Sequence, residues 1–204
     1  MANGNIALRT QPQRRNRQYE KRLASILRAA SRIIARDGFE GASVRDVAAA
    51  AGVNLSSLYY YFTNKDELLY TLQRRTFEAL VHNLKQRLEQ CTTAEERLRA
   101  VISSHFELFA GNIDDLKLCV HEIESLSGRY YREVLEIRRE YFRLVQKVVG
   151  EFVGRSRSKT DITALCLFGS LNWMYMWFDR EKNADIKKLT DQYMDIFLNG
   201  IDGQ

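Results

Sequence analysis

The chain has 204 residues, 45% of them hydrophobic, enough to bury a core as one large or two small domains, which excludes a disordered polyelectrolyte. Its net charge of +5 is unevenly placed: residues 1–75 hold 13 Lys and Arg against 6 Asp and Glu, and the remainder 18 against 20. The N-terminal part therefore suits a phosphate-rich partner, nucleic acid or anionic membrane, and the rest does not.

One proline, Pro12, lies outside every periodic segment, so long helices can run without their commonest breaker. Three scattered cysteines, Cys91, Cys119 and Cys166, with no C-x-x-C pair and no signal peptide, fit a reducing cytoplasm. The longest apolar stretch, Ala164 to Phe178, is interrupted by Asn172 and falls short of the roughly 20 residues of a membrane span. An all-α, cytoplasmic protein with no membrane partner is expected.

Residues 1–18 are polar, with Arg9, Arg14, Arg15 and Arg17, and read either as a flexible basic arm or as an inert tail. From Tyr19, apolar residues at Leu23, Ile26, Leu27, Ala30, Ile33 and Ile34 predict a helix that stops at Asp37-Gly38. Ser43 can cap a short second helix ending at Gly52, and Asn54 a third ending near Phe62. A long helix follows from about Asn64 through Leu88, and Thr93-Ala94-Glu95-Glu96 has capping-box spacing for the next, to Ala110. Helices over roughly 113–126 and 129–153, a basic loop at 154–159, and helices over 161–178 and 185–198 complete the pattern.

Two short helices joined by Ala51-Gly52-Val53-Asn54 have the plan of a helix-turn-helix, the glycine allowing the tight turn and the alanines at 48–51 close packing. The second helix would then offer Asn54, Leu55, Ser56 and Ser57 to base edges in a major groove, while Tyr59, Tyr60 and Lys65 reach phosphate. Val53 to Leu68, in which Leu58, Tyr59, Phe62, Lys65 and Leu68 carry most of the match, resembles the signature of tetracycline repressor family regulators. Gly38-Phe39 and Ser43 to Ala48 match at family spacing, so the resemblance covers roughly residues 20–70. It departs at Asn54, Ser56 and Thr63, where Ser or Thr, Gly and Pro are frequent. The resemblance favours Arg45, Ser57, Tyr59, Tyr60 and Lys65 for DNA contact. Leu55 is unusual for a base-facing position and can instead pack inward, Tyr61 is as readily a core aromatic, and Arg45 can be a solvated charge.

The resemblance further implies a helix-turn-helix domain over 19–65, and over 66–204 a helical domain that dimerises through its last two helices and holds a small effector. Apolar stripes at Ile162, Leu165, Cys166, Gly169, Trp173, Met176 and Trp177, and at Ile186, Leu189, Tyr193, Ile196 and Phe197, permit this and serve an intramolecular core equally well. Gly169-Ser170-Leu171-Asn172-Trp173, with Trp177, is similar to a segment of family members that sense acyl-coenzyme A thioesters. Gly169, Asn172, Trp173 and Trp177 are accordingly candidate ligand residues, as are Arg139 and Arg143, which share a helix face and can receive coenzyme A phosphates or simply pair with Glu136 and Glu140.

His82, His105 and His121 lack zinc-ligand spacing, Cys119 and His121 fall on different helix faces, and no phosphate loop or nucleophile elbow is present. Neither a metal, a cofactor nor an enzyme is expected. The reading is a homodimeric repressor bound to double-stranded operator DNA and released by a small hydrophobic effector such as an acyl-CoA thioester. Its rivals are a multidrug-sensing repressor and a DNA-binding structural or interaction factor without a small-molecule ligand.

Overall fold

The computed structural model describes residues 11–153, 157–182 and 185–200, and every regular element among them is helical. The chain divides into two compact units, Met1–Leu69 and Tyr70–Gln204, a few residues beyond the expected division at 65/66.

In the first unit, α1 (Gln11–Gly41), α2 (Val44–Ala50) and α3 (Leu55–Tyr61) precede the opening turn of α4 (Lys65–Leu88). The predicted stripe of α1, Leu23 through Ile34, is buried together with Phe39, Val47, Ala48, Leu58, Phe62 and Leu68. Gly38 breaks the helical path of α1 with φ 75°, a conformation that favours glycine, and this places the stop where the sequence puts it.

The start of α1 differs. Residues 11–18, expected in the basic arm, are helical, while residues 1–10 lie outside the described residues. Pro12 falls in the first turn, where its missing N–H costs no intrahelical bond. One turn before Leu23, the Tyr19 ring packs on Tyr61 with centroids 4.8 Å apart and edge-on to Tyr60 at 6.4 Å, which anchors this end of the helix.

In the second unit, α5 (Ala94–Ala110) is central, in contact with α6 (Ile113–His121), α7 (Gly128–Val153), α8 (Arg157–Asn172) and α10 (Ile186–Asn199). Its capping box is formed as expected: Thr93 Oγ1 accepts from Glu96 N and Glu96 Oε2 from Thr93 N, both at 3.1 Å.

Three boundaries depart from the periodicity. α6 stops at His121 instead of about 126, because the buried Gln73 donates through Nε2 to the Glu122 carbonyl at 2.9 Å, holding the chain at that turn. α8 begins at Arg157, within the expected loop, of which residues 154–156 lie outside the described residues. It also ends at Asn172, and after Trp173 a single turn, α9 (Met174–Trp177), follows. The bond from Met176 N to Trp173 O, at 3.0 Å, is of the tighter 3₁₀ type. This turn buries Met174 and sets Tyr175 edge-on to His121 at 5.1 Å.

Candidate functional site

The first unit carries the predicted helix-turn-helix residues. α2 is capped by Ser43 Oγ, which accepts from Arg45 N at 3.2 Å, and α3 by Asn54 Oδ1, which accepts from Ser57 N at 2.7 Å. Between them Gly52 has φ 67°, and Val53 N returns to the Ala48 carbonyl at 3.0 Å, closing the turn of a helix-turn-helix. Leu58 and Phe62 face the core, leaving Arg45, Asn54, Ser56, Tyr59 and Tyr60 exposed, with Leu55 and Ser57 half-buried. Tyr60 is 76% exposed, whereas Tyr61 is half-buried against Tyr19.

Two departures from the family pattern are accounted for locally. Asn54 caps as a serine or threonine would. Thr63 donates through N and Oγ1 to Glu67 Oε2 at 2.7 Å, a pairing that opens α4 without proline and holds the Glu67 carboxyl below its ordinary range.

Lys65 occupies a different place from the phosphate contact expected of it. Its half-buried Nζ donates to the carbonyls of Phe39, Glu40 and Ala42 at 2.8, 3.3 and 3.4 Å and lies 4.4 Å from the Phe39 ring centroid. The ammonium thus ties down carbonyls where α1 breaks, one of which, Phe39 O, also accepts from Ala42 N at 3.3 Å. Lys65→Met should lower stability by about 1–2 kcal/mol, read from the urea midpoint. The salt dependence of DNA binding should stay unchanged, and a slope reduced by about one phosphate with normal stability would return Lys65 to the DNA.

The second unit contains a cavity of about 320 Å³ walled by α4 through α8. Its lining is largely apolar, with Phe77 and Leu80 from α4, Phe109 from α5, Leu116 from α6 and Phe168 from α8. The partly open side is marked by exposed Arg139 and Leu165, and the closed side by buried His105, Cys119 and Tyr141.

Of the predicted ligand residues, Asn172 and Arg139 line this cavity and Arg143, Gly169, Trp173 and Trp177 do not. Arg139 Nη1 is tied to Glu136 at 2.8 Å, the surface pairing that competed with a ligand role. Arg143 is exposed. Successive helical residues point about 100° apart, so with Asn172 on the cavity Trp173 turns outward, 57% exposed. There it joins Ile162, Leu165, Met176 and Trp177 among the exposed apolar residues of α8 and α9, and Ile196 on α10. Tyr193 of α10 donates to the Ser170 carbonyl at 2.9 Å, linking the two helices. A Cβ on Gly169 would meet nothing within 4 Å, so packing within the chain does not require glycine there.

The cavity's principal polar groups are ones the sequence reading passed over. Arg138 lies on the buried stripe of α7, between Val134 and Tyr141 and ahead of Val145. Its cation sits 5.3 Å from the Phe77 ring, Nη1 is buried without a hydrogen-bond partner, and desolvation lowers its pKa from the ordinary value. An arginine on an apolar stripe was the available signal. Both ring nitrogens of buried His105 and the Tyr141 hydroxyl are likewise without partners. Desolvation pushes the imidazole down to about 3 and raises the Tyr141 hydroxyl, so at neutral pH both are uncharged. Among the described residues no group of three or more His, Cys, Asp or Glu is placed to hold a metal ion, and no helix is long and apolar enough to cross a membrane.

These two sites fit what the chain is similar to. A fatty acid metabolism regulator protein of Bacillus subtilis is 24% identical over 190 residues, covering 91% of this chain and 98% of the relative. A TetR-family transcriptional regulator from Bordetella parapertussis superposes with a TM-score of 0.83 at 21% identity, over 88% of this chain and 95% of that one. AibR, solved in complex with isovaleryl coenzyme A and operator DNA, does so with a TM-score of 0.73 at 22% identity, over 86% and 97%. At these identities the structural likenesses show the fold. Residues 26–71 match the bacterial regulatory proteins of the tetR family, and residues 91–201, more than half the chain, match the tetracyclin repressor-like C-terminal domain: the chain belongs to the TetR family of transcriptional regulators.

Proposed function

We propose that the protein is a dimeric repressor whose grip on operator DNA is released by an acyl-coenzyme A thioester. The observation that carries the effector class is Arg138, a guanidinium with a buried, unpaired nitrogen in an otherwise largely apolar cavity. A desolvated guanidinium N–H without an acceptor is costly, and a ligand that joins an acyl chain to a carbonyl and phosphates satisfies both halves of this lining. Because the cavity's charged residues are arginines and no carboxylates, a cationic drug is a poor fit. AibR, with its acyl-coenzyme A and operator, supports the same reading.

A symmetric pair would set two α3 helices in successive major grooves, roughly 34 Å apart. A thioester that prefers the DNA-incompetent arrangement lowers operator affinity by the factor by which DNA lowers thioester affinity. Arg45, Asn54, Leu55, Ser56, Ser57, Tyr59 and Tyr60 are the reading residues in this proposal, and Lys65 holds the segment between α1 and α2.

The test uses an operator selected from random-sequence duplexes, with release by octanoyl- and decanoyl-coenzyme A followed by fluorescence anisotropy. Arg138→Leu should keep wild-type operator affinity and need about 10–100 times more thioester for release, in line with the loss of one desolvated charged contact. Unaltered release in a folded variant would remove Arg138 from the effector site.

A further inference from the structure

The cavity holds more unsatisfied polarity than a plain fatty acyl chain can use. Arg138 offers a donor suited to the carbonyl or phosphate side of a thioester. His105 and Tyr141, both at least nine-tenths buried, leave three further polar atoms open: Nδ1, Nε2 and the phenolic oxygen. Neither side chain is misplaced by loose packing. The imidazole lies against Phe109 with centroids 4.8 Å apart, and the Tyr141 ring meets Phe168 edge-on at 5.5 Å.

An uncharged imidazole carries one donor and one acceptor, and a protonated phenol can do either. Buried polar groups almost always have partners in protein, water or ligand. When an alkyl chain displaces cavity water and brings no oxygen, each stranded group costs about 1–3 kcal/mol. A site built to bond a ligand hydroxyl therefore discriminates strongly against the analogue that lacks it.

We propose, building on the acyl-coenzyme A reading, that the acyl group accepted here bears a hydroxyl or keto oxygen recognised by His105 and Tyr141, which makes these two the specificity-determining residues. Size sets a second bound. A cavity of about 320 Å³ holds roughly ten groups of methylene or water size at about 30 Å³ each, which makes acyl groups of about ten carbons the probes of choice.

The experiment is isothermal titration of the full-length protein with decanoyl-, 3-hydroxydecanoyl- and 10-hydroxydecanoyl-coenzyme A, repeated on Tyr141→Phe and His105→Leu. At least one hydroxyacyl thioester is expected to bind about tenfold tighter than decanoyl-coenzyme A, and each variant should reduce that advantage while still binding the decanoyl thioester. Tyr141→Phe keeps the ring that packs on Phe168, so retained decanoyl binding reports an intact cavity. Equal or tighter binding of the plain thioester would overturn the inference, leaving the open atoms to ordered water alone, and so would an advantage that survives both substitutions. If no thioester binds while the operator is still held, the acyl-coenzyme A reading falls with it.

Discussion

Glutamate at both Trp173 and Ile196 is expected to give a folded monomer at micromolar concentration and to cost at least about a hundredfold in operator affinity. The two side chains are 57% exposed on α8–α9 and α10, on helices joined by the Tyr193–Ser170 bond. Exposed apolar residues repeat along this face at Ile162, Leu165, Trp173 and Met176, a stripe that no element among the described residues covers. Large contiguous apolar patches on soluble proteins mark interaction surfaces, and a stable symmetric contact buries about 800 Å² on each partner. The bare surround of Gly169 permits close approach of a second helix. The affinity loss follows because a monomer engages one half-site and forfeits the effective concentration that tethers the second. Sedimentation velocity and anisotropy on the same preparation provide the check. A variant that stays dimeric with normal operator binding would move the interface to another face.

The second large effect is acid lability from His105. In the unfolded chain its imidazole binds a proton near the ordinary value of 6.5, whereas the buried ring in the folded protein resists protonation until about 3. Between these values the unfolded state holds more protons, so stability falls as pH is lowered, by up to about 1.4 kcal/mol per pH unit. From pH 7 to 5 the loss should reach about 2 kcal/mol. The lowered carboxylates Glu67, Glu96, Glu133, Asp37 and Asp179 contribute below their ordinary values of 4.5 for Glu and 3.8 for Asp, outside this window. Urea midpoints at pH 7, 6 and 5 should therefore decline for the wild type and flatten for His105→Leu. Parallel declines in the two proteins would show that His105 is not the group responsible.

The reader half of the molecule was largely legible because its determinants are local. Caps, glycine turns and the buried stripe of α1 lie within a few residues of what they control, and Ser43, Asn54, Thr93 and Gly38 do what their types and positions predict. Lys65 escaped because its three carbonyl acceptors lie 23 to 26 residues upstream. α6 ends through Gln73, 49 residues away, and no local pattern encodes that.

For the cavity, the motif around Asn172 was read as one ligand-facing segment, although adjacent positions on a helix point in different directions. Its members consequently divide between the cavity and the outer stripe. Arg139 and Arg143, one helical turn apart, form a surface pattern visible in the sequence, whereas the significance of Arg138 comes from being charged on the stripe where Val134, Tyr141 and Val145 are buried.

The three thiols of the chain occupy three distinct surroundings: Cys166 is exposed on the face of α8 that carries Leu165 and Gly169, Cys119 is buried in the cavity wall with its thiol pKa raised by desolvation, and Cys91 is half-buried beyond the end of α4. Nature has in effect distributed labels. A mild alkylating reagent followed by peptide mass mapping would read self-association at Cys166 and cavity opening at Cys119, with Cys91 as the internal standard, from the unmodified sequence and without an introduced fluorophore.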